Sequence, residues 1–346
     1  MLSCDKIDPS QRRKIIVFGG EGFLGSHLVE LLAELGHKVT VFSHSPPGSN
    51  KNLQHFEGRY HRFSGDFADA DAVAAALKGQ EIAFNFILSS TPVSSWEEPL
   101  RTIETDLLQS VRFFELCAKG GVRKIVFASS GGALYGPQTE PADEGTVPRP
   151  FNPHGIAKLC AEHFLRYYRE KYGIAADSYR IGNAYGPRQP INRTQGVIGA
   201  WIGRIIAGQT LDVYGDETTK RDYVNAKDVA QLMTHSLRDL DASGTYNLGT
   251  GCGTSILELL EIFKTVVKSP FGYQLHPRRP SDNTNAILPS GKLLKHFPGF
   301  AFRDLEQGIR ETYQWAMDDA KGDAKCGEIG QRSGACRARR CAERVL

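Results

Sequence analysis

Two groups of residues carry most of the chemistry legible in this chain. The first is His154 with Lys158, inside Asn152-Pro153-His154-Gly155-Ile156-Ala157-Lys158. One helical turn separates them, so a lysine cation stands beside the imidazole and favours its neutral, proton-accepting form. With an ordinary pKa near ~6.5, histidine is a credible general base. The second is the turn Gly19-Gly20-Glu21-Gly22-Phe23-Leu24-Gly25. Glycines there allow a tight bend, bring backbone N–H groups close to a diphosphate and let helix pack on strand, while the helix N-terminus adds partial positive charge. Incidental glycine-rich turns carry the same pattern. Here the apolar run Ile15-Ile16-Val17-Phe18 precedes it and the amphipathic stretch Leu24–Leu35 follows, a strand, loop and helix context that favours dinucleotide binding.

The elements that must hold these residues take turns along the chain. Lys38–Phe42, Tyr60–Phe63, Ile82–Leu88, Lys124–Ala128 and Ile174–Ile181 read as strands, and Asp69–Leu77, Pro99–Lys119 and Pro153–Tyr172 have helical spacing. Alternation of this kind predicts an α/β fold, a Rossmann-type doubly wound parallel sheet over residues 12–182, with ligands at the carboxyl ends of the strands. Beyond residue 182 the rhythm loosens into Pro/Gly-rich loops, two helical patterns (Ala226–Leu237 and Ser255–Lys268) and a last helix, Asp304–Met317. These predict a smaller C-terminal substrate-binding lobe over residues 183–318, with segments near 212–250, Gly244–Leu248 among them, returning to the sheet. Residues 319–346 lack an apolar face and predict a disordered basic tail.

Composition narrows the function classes. With 346 residues and 40% hydrophobic content the chain can bury a full core. No apolar run approaches the ~20 residues of a membrane span, and Met1–Arg13 has no signal-peptide core, so the expected setting is the cytoplasm. The net charge is +3, yet residues 321–346 hold seven Lys/Arg against three Asp/Glu, which leaves the body at −1 and gives nucleic-acid binding no basic face. The seven cysteines, at positions 4, 117, 160, 252, 326, 336 and 341, show no metal-ligand spacing, and reduced thiols are the simpler reading.

Further motifs accompany the first two: Gly65-Asp66-Phe67, Ala128-Ser129-Ser130-Gly131-Gly132-Ala133-Leu134-Tyr135-Gly136, Arg180-Ile181-Gly182-Asn183-Ala184-Tyr185-Gly186-Pro187-Arg188-Gln189, Tyr214-Gly215-Asp216, Arg221-Asp222-Tyr223-Val224, Asn247-Leu248-Gly249 and Arg278-Arg279-Pro280-Ser281-Asp282. In this order, from Lys14 to Trp315, the chain resembles the extended short-chain dehydrogenase/reductases, specifically the nucleotide-sugar epimerase/dehydratase group. The resemblance implies a bound NAD, held by Gly19, Gly22, Phe23, Leu24, Gly25, Ser43, Asp66, Phe67 and Lys158. Asp66 would accept from the adenine amino group, unless it only caps the following helix. Asn183, Arg221 and Arg279 would bind the diphosphate side of a nucleotide-sugar, most simply a UDP-hexose, since arginine forks suit phosphate oxygens; a solvated surface role is the alternative for each arginine, and Asp282 would hold a ribose or buttress Arg279. Lys158 would bind the nicotinamide ribose. A base would take the proton of the sugar 4-hydroxyl during transient oxidation at C4, and return of the hydrogen to the other face would invert that centre. Relatives also pair as homodimers through the helix before the Ser-Ser run and the helix bearing the lysine. Here those helices offer Leu107, Leu108, Phe164 and Leu165 either to the sheet or to a partner.

Three positions depart from the group's pattern. His154 stands where the group has tyrosine, and the outer imidazole nitrogen falls short of a phenol oxygen by about 2 Å, in a setting where ~1 Å can alter rates a hundredfold. Gly131 stands where a Ser or Thr hydroxyl is usual, which leaves Ser129 and Ser130 as candidates for positioning the substrate, Ser130 taken as the catalytic hydroxyl, with strand-end capping an equal alternative for each. Ser43 stands where an acid usually grips the adenosine ribose; with no arginine expected beside it, NAD is favoured and NADP remains open. Ala286, seven residues after Arg279, would widen the sugar pocket for a bulkier 2-substituent or only mark a different loop path. A 4-epimerase is the leading reading. The alternatives are a binding relative without turnover and a 4,6-dehydratase, for which Gly131-Gly132-Ala133 supplies no acid.

Overall fold

The protein's architecture is seen in a computed structural model that describes residues 11–46, 48–191, 196–279 and 285–333. Its centre is a seven-stranded parallel sheet built from β1 (Lys14–Phe18), β2 (Lys38–Ser43), β3 (His61–Ser64), β4 (Ile82–Asn85), β5 (Lys124–Ser130), β6 (Ala175–Ile181) and β7 (Gly244–Leu248). The spatial order is β7-β6-β5-β4-β1-β2-β3, and every pairing is parallel. Chain order reverses between β1 and β4, which opens a crevice at their carboxyl ends.

Both faces of the sheet are covered, and strand alternation decides which side chain goes where. Ile15 and Val17 of β1 join the core with Leu28, Val29 and Leu32, whereas Ile16 and Phe18 join the opposite core with Phe113, Phe114 and Leu165. Helix Phe23–Glu34 and helix Ala226–Met233 pack on the first face. Helices Ala70–Leu77, Gln109–Lys119 and Pro153–Tyr172 serve the second. A separate core of Ile198, Trp201, Leu211, Leu259, Phe263 and Ile309 holds the later residues together around short strand pairs.

Local signals explain the site-bearing helix. Asn152 caps it by accepting from the Gly155 N–H at 2.8 Å, Pro153 takes the first position, and Gly173 closes it at φ 70°. Elsewhere the boundaries moved. β4 ends at Asn85, where the expected strand ran to Leu88, and the expected single helix Pro99–Lys119 is broken by a π-helical stretch, Ile103–Leu108. The last helix runs Leu305–Ser333, beyond the expected Met317, so residues 319–333 are helical where a structureless tail was expected; residues 334–346 lie outside the described residues.

Candidate active site

The glycine turn leaves β1 at the crevice. Gly19 adopts φ 75°, and its carbonyl accepts from the Gly22 N–H at 3.0 Å. A Cβ on Gly25 would strike the Gly19 carbonyl oxygen, and one on Gly19 would press on the Phe86–Ile87 backbone leaving β4 at 3.2–3.3 Å. Only bare backbone lets the two loops and the helix meet this closely. Gly22 is the N-cap of helix Phe23–Glu34 and offers no side chain, so no cap bond consumes the first-turn amides around Phe23 and Leu24. Uncapped amides under a glycine cradle at the switch point fit the diphosphate of a dinucleotide.

At the end of β2 the fold corrects one expectation. Ser43 donates to the Glu21 carboxylate, and Arg62, brought alongside by β3, bonds Glu21 through Nε at 2.8 Å and Ser43 Oγ through Nη2 at 3.1 Å. An arginine therefore does stand beside Ser43, contributed from 19 residues away. Its charge is matched by Glu21, which is buried within the glycine turn. Asp66 is exposed and accepts from the Ala68 N–H at 2.9 Å, while Asp69, not Asp66, caps helix Ala70–Leu77. The Phe67 ring packs between Phe18 and Phe113, giving its side chain a core role.

His154 and Lys158 lie buried on one face of helix Pro153–Tyr172. Lys158 Nζ donates to the Ala128 carbonyl at 2.8 Å over the Phe127 ring, which fixes it across the carboxyl end of β5. Burial lowers its pKa to about 8, with Asp106 and Glu162 pulling the other way. His154 is lowered to about 4, first by burial and then by the Lys158 cation, so its ring is neutral at pH 7. The loop after β4 and the short helix Pro92–Glu97 that follows secure it: Ser90 Oγ lies 3.1 Å from Nδ1, and Ser95 Oγ accepts the His154 N–H at 3.2 Å. Ser90 bonds in turn to buried Asp106 in the π-helical stretch.

Ser130 ends β5, half-buried, with no cap bond to the turn after it, whereas Ser129 Oγ is buried without a partner. The usual hydroxyl position at Gly131 is closed from above: a Cβ there would collide with Leu288 Cδ1 and come within 3.2 Å of the Arg180 carbonyl. Ala286 stands 4.0 Å from where a Gly132 Cβ would be, so the small residue seven places after Arg279 does face this turn.

Asn183 and Arg221 reach the same end of the sheet, and Arg279 lies just beyond a separate strand pair. Asn183 lies on a short strand paired with Tyr223–Asn225 and is held on the Asp222 carbonyl at 2.8 Å. Arg221 lies in the strand Lys220–Arg221, between Thr254–Ser255 and Asn285–Ala286. Arg279 stacks on Tyr214 at 3.8 Å. Asp222, wholly buried, accepts from the backbone N–H groups of Thr250, Gly251 and Leu288 at 2.8, 2.8 and 3.0 Å and so ties Leu288 down. Asp282 lies outside the described residues. Tyr135, Arg180 and Asn247, from three of the motifs, form one buried network with Glu162 behind the site and serve structure.

Sequence reasoning missed Ser90, Asp106, Glu21, Arg62 and Leu288. Two of them left a trace: an aspartate followed by Leu107-Leu108 in an apolar helical pattern, and a glutamate inside a turn shaped for an anion.

Comparison with known proteins gives the family. Residues 15–249 match the model of the NAD dependent epimerase/dehydratase family. A UDP-glucose 4-epimerase of Mycolicibacterium smegmatis is 30% identical over 306 residues, covering 87% of this chain and 98% of that protein. The crystal structure of the Thermus thermophilus UDP-glucose 4-epimerase complex with NAD superimposes with a TM-score of 0.79 at 33% identity, covering 87% of this chain and 98% of that one. A UDP-N-acetylglucosamine 4-epimerase from Methanobrevibacter ruminantium, solved with UDP-N-acetylmuramic acid, gives a TM-score of 0.81 at 28% identity over 89% of this chain and 99% of that one. The chain belongs to the NAD-dependent epimerase/dehydratase family.

Proposed function

We propose that this protein is an NAD-dependent nucleotide-sugar 4-epimerase acting on a UDP-hexose, with His154 as its proton acceptor. The observation that carries the reading is the buried, neutral imidazole one turn before a lysine anchored on Ala128, in a chain whose glycine turn is fit for a diphosphate. When bound, the dinucleotide supplies the acceptor for the hydrogen and electron pair removed from C4. The first-turn amides after Gly22 bind its diphosphate, and Lys158 holds the nicotinamide ribose. Glu21, held by Ser43 and Arg62, supplies the carboxylate that β2 lacks for the adenosine ribose hydroxyls, and its pairing with Arg62 occupies the cation that a 2′-phosphate would need, which favours NAD over NADP. His154 Nε2 takes the 4-hydroxyl proton and returns it once the sugar has turned its other face. Asn183, Arg221 and Arg279 bind the nucleotide diphosphate, Asp282 holds a ribose or buttresses Arg279, and Ser130 orients the sugar.

Two further parts complete the proposal. The protein works as a cytoplasmic homodimer through the segment Pro99–Lys119 and helix Pro153–Tyr172. On these Leu108 and Phe164 are exposed, joined by Leu100 (74% exposed), Ile103 and Tyr167, while Leu165 is buried in the core and Leu107 packs against it. Among the described residues no helix is long and apolar enough to cross a membrane.

A second reading, a binding relative without turnover, draws on the Leu288 methyl that fills the usual hydroxyl position at Gly131. Incubation with UDP-glucose, UDP-galactose and their 2-acetamido counterparts separates the two readings, with identification of the dinucleotide that co-purifies. Epimer formation with co-purified NAD is expected. Tight UDP-sugar binding with no product from any of the four would leave the second reading standing.

A further inference from the structure

The base position has a built support that the glycine turn and the lysine do not explain. Ser90 Oγ touches both His154 Nδ1, at 3.1 Å, and the Asp106 carboxylate. All three residues are buried. Asp106 also accepts the N–H groups of Ser89 at 3.0 Å and Ser90 at 3.2 Å, so every neighbour it bonds is a donor. A carboxylate accepts only, and the single Ser90 hydroxyl proton is therefore committed to Asp106. Ser90 Oγ must then accept from the ring, which makes Nδ1 the protonated nitrogen and leaves the lone pair on Nε2.

We propose that Asp106, acting through Ser90, is the positioning residue that fixes His154 in the Nδ1–H tautomer and presents Nε2 as the proton acceptor. Its use in turnover rests on the 4-epimerase reading; the tautomer itself does not. In that use the sugar O–H bond breaks and an Nε2–H bond forms as the C4 hydrogen leaves with its electron pair for the dinucleotide. The ring becomes imidazolium, and the Asp106 charge two hydrogen bonds away stabilises it without taking a proton. This is the orienting logic of a base held by a third group, assembled with a serine between histidine and aspartate. Ser95 on the His154 N–H fixes the backbone end of the same residue, which limits the misplacement that a shorter side chain brings.

The charged groups facing His154 are Lys158, from its own helix, and Asp106, from the π-helical stretch; Glu162 acts on Lys158. Asp106 is the one that raises the imidazole pKa, so removing its charge moves the acid limb of activity to lower pH. An asparagine at this position can donate to Ser90, which then turns its own proton towards Nδ1 and reverses the tautomer.

The test is nitrogen-15 NMR of histidine-labelled full-length protein at pH 7, with the His154 signals identified by their loss in His154→Phe. The parent and Ser90→Thr, which keeps the hydroxyl, should carry the proton on Nδ1. Asp106→Asn and Ser90→Ala should move it wholly or partly to Nε2. Should Asp106→Asn fail to fold, Ser90→Ala, which removes one oxygen, decides. A parent protonated on Nε2, or an unchanged tautomer in the folded variants, overturns the proposal. In UDP-glucose to UDP-galactose conversion, Asp106→Asn should lower kcat about a hundredfold with KM changed less than about threefold, and shift the acid limb of kcat/KM downwards. A tautomer that responds as stated in a protein that converts no UDP-sugar keeps the relay and removes the epimerase reading. Turnover by a parent protonated on Nε2 does the reverse.

Discussion

At the scale of single residues, the site is one in which burial and charge have been set against each other on one helix face. His154 is neutral because burial and the Lys158 cation both oppose its protonated form, and Lys158 is weakened by burial alone. The sign of the resulting pH dependence follows. The base must be deprotonated, which holds above about 4, and the lysine must stay charged to serve the ribose, which holds below about 8. We therefore expect kcat/KM for UDP-glucose to be level between these limits and to fall on both sides. His154→Phe should lower kcat by about a hundredfold or more. A profile rising through pH 9, as a phenol base would give, would refute these assignments, as would a His154→Phe variant as active as the parent.

At the scale of elements, the Gly131 turn and Leu288 exclude each other's alternatives. Gly131→Ser pushes a side chain into the Leu288 methyls, an overpacking that should destabilise the protein by about 1–3 kcal/mol. Leu288→Ala in the same chain should relieve part of it, giving a non-additive pair in urea unfolding; strict additivity would mean that the two side chains do not meet. The glycine turn and the His154–Lys158 face were legible because each lies within one short segment whose spacing fixes its geometry. Ser90 and Asp106 were not, since they reach His154 from 64 residues away through the loop after β4 and from a π-helical stretch that reads in sequence as continuous helix. Arg62 escaped for the same reason: parallel pairing of β2 with β3 places Val41 against Arg62, and nothing local to Ser43 announces it. Phe67 illustrates the converse, a motif residue whose ring belongs to the core between Phe18 and Phe113.

At the scale of the whole molecule, the first helix of the sheet domain and the later residues are tied through the middle of helix Phe23–Glu34. His27 Nε2 donates to the Pro187 carbonyl at 3.0 Å, and Arg188 meets Glu30 at 2.7 Å. Burial lowers the His27 pKa to about 4, so between about 4 and the ordinary ~6.5 only the unfolded chain takes the proton, and His27 withdraws stability as pH falls through that window. His27→Gln keeps a donor without the titration. Its stability difference between pH 7.5 and pH 5, from urea unfolding, should be roughly 2 kcal/mol smaller than the parent's; equal differences would show that His27 does not titrate on unfolding. The proposed chemistry is transient oxidation at C4 with His154 as the base, and the most direct measurement of it is conversion of UDP-glucose deuterated at C4 by the NAD-loaded protein. UDP-galactose that keeps its deuterium at C4, formed more slowly than from unlabelled substrate, is the predicted result. Deuterium lost to solvent, or no UDP-galactose while UDP-glucose is bound, would contradict it.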